Sequence, residues 1–444
     1  MTEPSPANAE PSAAPGTEGW VLAWALGAAA FGGASLLVPL YIVQLGAGPA
    51  ELGILAAMAA FAGVPGAILF GRLASHVGHR RSLVLVTLGT VTVVLVILPF
   101  LQSIPAVIAA NTVLWLVVAA VGPVVTMLVV ADRPESAWSR QIGRVNKFQG
   151  YGWAAGLVLG TVVPLVTTRV FEPQTISRLL FFLLAGLAAA STIGAARTLP
   201  RPAGGPQSER EIRRIARLVE RSGRGVREAT FAMSPNRIYW STRAISPGRL
   251  RARLDSILGI YLLAAALFFT GFAMFWAPLP HLLTAVGLDA GRVFALYLVS
   301  SLGSAVLYEG VGTLADRLDV RLLQSGALLV RGLLFPLVAL LAGVGQTSLG
   351  TIMLGVLLAA IGLTWAVILV VGTTIVSRLA TPGVRGEVLG SYTALGAFAG
   401  GIGSVLGGWL ATFGYVVAFA TAGGLVVAGA VLVGSLRALS ARSA

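Results

Sequence analysis

Side chains able to do chemistry are scarce in this chain, and the clearest of them occur in a repeated order. Gly71, Ser75, His76, Gly78, His79, Arg80 and Arg81 form a short basic turn between two long apolar runs. Gly312, Asp316, Arg317 and Arg321 repeat that turn, and the two opening glycines stand 241 positions apart. A carboxylate beside arginines at a helix end can sit against the N-terminus of a neighbouring helix, where the partial positive dipole favours it. Contacts of that kind are made and broken as a latch. Two further charges stand within consecutive apolar runs, Glu309 near the end of one and Arg331 about ten residues into the next. They are candidates for an ion pair, either structural or a proton-linked switch. The chain has no cysteine, which excludes disulfides and thiolate metal sites. No glycine-rich loop ends in Lys-Ser/Thr, so a phosphate-binding loop for ATP is excluded. His, Asp and Glu do not cluster within the apolar runs, which argues against an enzyme and implies neither metal nor cofactor.

The elements that hold these residues are set by composition. Of 444 residues, 56% are hydrophobic and only 11% charged, with a mean hydropathy of +0.87. A soluble domain is about 25% charged, so most of this chain is expected to face lipid. Apolar runs occupy 20–44, 50–70, 82–101, 105–130, 142–167 and 176–197, then 255–283, 290–310, 322–343, 346–376, 388–412 and 415–437. Each approaches the ~20 residues needed to cross a bilayer as a helix. The expectation is an all-α polytopic membrane protein with six spans, a gap and six more.

Charge orients the spans. Loops that follow even-numbered spans, leaving out the central one, carry eleven Arg or Lys, and the opposite loops carry three. By the positive-inside rule both termini and the central loop are cytoplasmic. Residues 1–19 are polar and lack the basic start of a signal peptide, which predicts a disordered cytoplasmic tail. Residues 438–444 form the other tail. The formal charge of +14 comes almost wholly from arginine, Lys147 being the only lysine, a bias associated with GC-rich prokaryotic genomes. Thirteen of the arginines lie in the central interval 198–254. There Ser208-Glu209-Arg210-Glu211 is a capping-box pattern, and 208–222 reads as a basic amphipathic helix suited to an anionic leaflet. Nothing in it resembles a module that reads nucleic acid.

The repeat extends beyond the basic turns. Pro39-Leu40 and Gly46 match Pro278-Leu279 and Gly287 at a spacing near 240, and Gly143, Gly156 and Gly160 match Gly390, Gly403 and Gly407 at 247. Six helices per half, related as parallel repeats, is an architecture of secondary transporters. The chain thereby resembles the major facilitator superfamily across all twelve spans. That family's motif after the second span is met by Gly71, Gly78 and Arg80, with Ser75 in place of the acid. The second copy keeps Asp316, Arg317 and Arg321 but has Asp319 where glycine belongs. The fifth span resembles the family's antiporter pattern at Gly143, Gly152, Gly156 and Gly160, with Leu157 in place of proline and Thr161 in place of the last glycine. Close helix packing explains those glycines as well as an exchange mechanism does.

The resemblance implies two six-helix bundles, 20–197 and 255–437, that rock about a central cavity to move small organic molecules. Efflux across the cell membrane by a monomer is the expected mode. A facilitative or import carrier, or a transporter-like sensor, is the alternative. The cavity is expected on spans 1, 4, 7 and 10 with support from spans 2, 5, 8 and 11, the candidates being Phe31, Tyr41, Asn111, Trp115, Gln149, Trp153, Phe269, Phe272, Trp276 and Trp365. Such a lining suits amphipathic organic molecules. The first span has no carboxylate and the fourth no arginine, so proton coupling stays open. The gate reading predicts that Asp316→Asn shifts the balance of inward- and outward-open states, read as altered reactivity of single cysteines at the cytoplasmic mouth. Unchanged reactivity would remove Asp316 from the gate.

Overall fold

An apolar run in lipid can satisfy its backbone groups only within itself, as a helix. The computed structural model describes residues 17–76, 80–130, 135–199, 256–380 and 385–442, and twelve long helices stand there. They are α1 (Thr17–Gln44), α2 (Pro49–His76), α3 (Arg80–Ile97), α4 (Ile104–Val130), α5 (Glu135–Thr167) and α6 (Pro173–Thr198). The second half has α7 (Ser256–Trp276), α8 (Ala290–Arg317), α9 (Val320–Ala342), α10 (Ser348–Leu379), α11 (Arg385–Ala411) and α12 (Tyr415–Arg442). Ten helices in the described residues are long and apolar enough to cross a membrane. Gly78 and the stretch 208–222 lie outside the described residues.

Two boundaries differ from expectation for a local reason. The seventh span is not continuous: α7 stops at Trp276 and a separate turn of helix runs Leu279–Ala285. Pro278 and Pro280 each remove a backbone donor and crowd the preceding turn. The equivalent place in α1 holds Pro39 alone, and α1 runs on to Gln44. The fifth helix starts at Glu135, a polar lead-in seven residues ahead of the apolar run. After α1, Gly46 takes φ +92°, and after the short helix Gly287 takes φ +85°. In both turns the next residue bonds back over the glycine, Ala47 N–H to Ile42 O at 2.9 Å and Leu288 N–H to Leu283 O at 3.1 Å. This is a Schellman-type close with glycine in the left-handed position.

The two halves repeat each other in their packing. α1 lies on α5 and α6, and α7 lies on α11 and α12. α2 pairs with α4 as α8 pairs with α10, while α3 bridges α4 and α6 and α9 bridges α10 and α12. Glycine makes the tightest of these approaches. A Cβ on Gly152 or Gly156 would overlap the backbone oxygens of Ala25 or Ala29, and one on Gly403 or Gly407 those of Thr270 or Met274. The basic turns also anchor equivalently: Arg81 Nη2 donates to Ala196 O on α6, and Arg321 Nη1 donates to Leu436 O on α12 at 2.9 Å. These bonds join helices within one half. Asp319 caps α9 through the Arg321 N–H at 2.9 Å.

Between halves, α2 packs along α11 and α5 along α8. At the end of the bundle away from the chain termini these seams are close. A Cβ at Gly53 would lie 2.5 Å from Ser404 O, and one at Gly408 would lie 2.5 Å from Pro49 O. Gly160 faces the Phe294 ring across the α5–α8 seam. A leucine at Gly408 overpacks a contact between halves while leaving each half's own packing in place. Overpacking of this kind costs about 1–3 kcal/mol, roughly a 5- to 150-fold shift in a two-state equilibrium. Gly408→Leu is therefore expected to open this end, raising the rate at which an impermeant thiol reagent labels Ala56→Cys in the otherwise cysteine-free chain. An unchanged rate would mean that the seam does not move.

Candidate functional site

A cavity of about 240 Å³ lies between the two halves. Helical spacing explains which side chains reach it. On α4, Asn111 and Trp115 are one turn apart; on α7, Phe269, Phe272 and Trp276 follow at three and four; on α11, Gly396, Gly400 and Ser404 follow at four and four. α8 contributes Tyr297, Ser300, Ser301 and Ser304, α9 contributes Arg331, and α10 contributes Gly362 and Trp365. Leu52, Leu55, Ala56 and Ala59 of α2 close the opposite wall, with Ser35, Leu36 and Pro39 of α1. The backbone of α8 comes close to α10 because a Cβ at Gly362 would overlap Ser300 O.

Of the ten expected cavity residues, the structure brings six to the wall: Asn111, Trp115, Phe269, Phe272, Trp276 and Trp365. The other four stand back from it. Phe31 lies edge-on to Trp115 at 4.9 Å and to Trp153 at 5.4 Å, so Phe31 and Trp153 buttress the wall from behind. Gln149 accepts a hydrogen bond from Trp24 Nε1 at 3.3 Å. Tyr41 is a correction: its hydroxyl donates to Leu101 O at 2.9 Å and its ring packs on Phe181, which ties α1 to the α3–α4 turn and to α6. The period that puts Phe31 and Tyr41 in one apolar run does not say which way that run is turned.

Arg331 stands at mid-helix in α9. It is 2% exposed, and its Nη1 donates to Ile361 O at 3.0 Å and Thr364 Oγ1 at 3.2 Å. Its Cζ stands 4.5 Å from the Phe272 ring centre, 5.3 Å from Trp365 and 5.7 Å from Phe335. Backbone dipole and ring faces thus hold a charge that lipid could not. Glu309 lies on α8 five residues beyond Ser304, and its side chain is outside the described ones, as are those of Ser75, Arg80 and Asp316. Gly71 and Gly312 fall in α2 and α8, and Arg317 is exposed at the α8 end.

Sequence reasoning passed over the α8 hydroxyls. Ser300, Ser301 and Ser304 recur on one face of an apolar span, which is a readable signal because polar groups in lipid must find partners. Ser304 Oγ bonds its own helix at Ser301 O, 2.7 Å, and Ser404 Oγ bonds Gly400 O at 2.9 Å. Asn111 is different: only 3% exposed, its amide has no hydrogen-bond partner among the described residues. The Trp365 indole Nε1–H is buried and likewise has no acceptor among them. At the end away from the termini, His281 Nδ1 and the Tyr415 hydroxyl stand 2.5 Å apart, joining the short helix to α12. Glu51 accepts the Gly48 N–H at 3.0 Å and Asp289 that of Arg292 at 2.9 Å, both capping helix starts. Among the described residues no three of His, Asp and Glu gather where a metal could sit.

Comparison with known proteins agrees with this architecture. No curated protein sequence matches the chain. Solved structures do, at low identity. A nucleoside transporter, NupG, is 12% identical with a TM-score of 0.72, the match covering 96% of this chain and 99% of that one. A bacterial homologue of the human lysosomal transporter Spinster, in an inward-facing unoccupied state, is 13% identical with a TM-score of 0.63 and 96% of both chains covered. The human organic anion transporter MFSD10 is 18% identical with a TM-score of 0.55, covering 95% of this chain and all of that one. These likenesses establish the fold. The family's own sequence profile matches residues 20–335, most of the chain. The chain belongs to the Major Facilitator Superfamily and is a membrane transporter of that fold.

Proposed function

We propose that this protein is a secondary carrier that exports a small, mainly aromatic organic molecule by alternating access. The observation that carries this reading is the position of the cavity. It is lined from both halves, α1, α2 and α4 on one side and α7 to α11 on the other, so rocking the halves changes which end it opens to. At about 240 Å³ it is smaller than the ~300–1,000 Å³ of drug-sized sites, which suits a one- or two-ring solute. Phe269, Phe272, Trp276 and Trp365 supply ring faces, while Asn111 and the α8 serines supply the few polar contacts that orient a solute. The named structural neighbours handle unlike cargoes, so fold alone does not select one.

Export draws its support from the helix-5 glycine pattern. Location in a prokaryotic cell membrane, with both termini cytoplasmic, is supported by arginine usage and by the asymmetry of loop charge. The basic interval 198–254 then acts as a tether on the inner leaflet, its 208–222 stretch against anionic lipid, and the chain works as a monomer. A facilitative carrier is the second reading, favoured by a cavity wall with no carboxylate among its described residues. Glu309 is the proposed site of proton linkage, since it lies on α8 beyond the cavity serines.

Inside-out vesicles carrying the protein are expected to accumulate at least one member of a panel of small aromatic acids, amides and amines when a pH gradient is imposed. Glu309→Gln should abolish the gradient dependence and leave downhill flux. Flux without gradient dependence in the wild type would select the facilitative carrier, and no flux of any compound in either vesicle orientation would overturn the carrier reading.

A further inference from the structure

Asn111 stands out on the cavity wall by what it leaves unused. Its neighbour on α4, Thr112, returns its hydroxyl to Ile108 O at 2.7 Å, and across the cavity Ser304 and Ser404 bond their own helices in the same way. The Asn111 carboxamide makes no such bond. It lines the cavity, is 3% exposed, and has no hydrogen-bond partner among the described residues. Nor is it sealed into the wall, as the Trp365 Nε1–H is. Burying an unpaired amide is costly, so an amide kept this way in a membrane span is explained by a partner from outside the chain.

The type of group says what that partner must offer. A serine hydroxyl rotates to donate or accept, so Ser300 and Ser301 on the facing wall adapt to whatever arrives. A carboxamide cannot adapt in that way. It fixes one donor beside one acceptor in a plane, and turning it over exchanges the two ends while keeping the pair. Its complement is a planar edge with a carbonyl next to an N–H. A solute with an acceptor alone would leave the Asn111 oxygen buried and unpaired. Trp115, one turn along α4, lines the same cavity with Phe31 edge-on to it at 4.9 Å, and Phe269, Phe272 and Trp365 line the side of the second half. A flat edge at Asn111 thus continues into space walled by rings. We infer that the transported solute is an aromatic ring system with a lactam or primary carboxamide edge, and that Asn111 selects it by pairing with that edge. Such a solute touches both halves at once, so its binding is sensitive to how they are apposed. The inference rests on the carrier reading above and adds the functional group the cargo must carry. It turns on the order of donors and acceptors, and the charge of the wall does not enter.

The test uses the purified full-length protein in lipid nanodiscs and three neutral bicyclic probes, 2-quinolone, 1-methyl-2-quinolone and quinoline. They are titrated by calorimetry, with empty nanodiscs as the reference for partition into lipid. The first probe offers the paired edge, the second blocks the N–H and keeps the carbonyl, and the third has a ring-nitrogen acceptor alone. The plain lactam is expected to bind at least ~10-fold more tightly than either of the others, within the roughly 5- to 150-fold cost of leaving one buried partner unpaired. Asn111→Leu, close in shape, should bring the three probes within ~3-fold of one another while shifting quinoline less than ~3-fold, so that retained quinoline binding reports an intact cavity. Asn111→Gln, which keeps the amide and moves it by one methylene, should retain more of the preference than Asn111→Leu. A wild type that binds the three probes within ~10-fold of one another would overturn the inference and leave the cavity reading standing. So would an Asn111→Leu protein that keeps the wild-type preference or loses all three probes together. No binding of any probe to the wild type would overturn it as well, and flux in the vesicle panel above then decides the carrier reading on its own.

Discussion

Everything in this molecule depends on how closely helix backbones can approach where no hydrophobic force drives them together. Lipid tails are as apolar as the helix faces, so association in the membrane rests on van der Waals fit and on polar contacts between helices. Here the fit is made at glycine. Gly152 and Gly156 bring α5 onto the backbone of α1, and Gly403 and Gly407 bring α11 onto that of α7. The same device works between halves, where Gly53 on α2 and Gly408 on α11 face each other with no side chain between them. Contacts within a half and contacts between halves are made of the same material, yet they differ in consequence. Those within a half hold a bundle together through every state. Those between halves are the contacts that a rocking motion has to break, and their fit would set part of the free energy between two such states.

The cavity is what remains where that close approach fails. Large aromatic residues on α7 and α10 hold the walls apart at mid-membrane, and the arginine on α9 is accommodated among them. Burying a guanidinium here requires a backbone oxygen, a hydroxyl and several ring faces, and the chain supplies all three from α7, α9 and α10. No helix of the first half takes part in those contacts. The second half therefore has the character of a fixed binding wall, with Asn111 and Trp115 of α4 presented to it by the other bundle. The paired anchors of the basic turns fit this division. Arg81 and Arg321 each span 115 residues to the last helix of their own bundle, so these bonds tie each half into a unit.

Much of the fold was legible before any coordinates. Run length and hydropathy located the twelve helices, and the match of Gly46 with Gly287 marked two equivalent loops whose left-handed turns the structure then revealed. Local chemistry is enough for such features, because a backbone in lipid must be helical and because only glycine takes φ near +90° without strain. The break after Trp276 was also written locally, in two prolines, although the apolar run conceals it. The candidate site was legible only in part. Residues with a distinctive chemical character in an apolar setting, such as Asn111, Trp365 and Arg331, stood out by type.

The sequence by itself determined the class, the number of spans, their pairing into two related halves and the scarcity of charge inside them. Those properties follow from composition and from spacing along the chain. Only the tertiary structure decided which face of each helix turns inward. In a soluble helix an amphipathic stripe marks that face, but lipid and protein interior are both apolar, so α1 carries almost no such mark. That is why Phe31, Tyr41 and Trp115 looked alike as candidates while only Trp115 lines the cavity. The rotations of α5 and α11 are set where their glycines meet the backbones of α1 and α7, more than a hundred residues away.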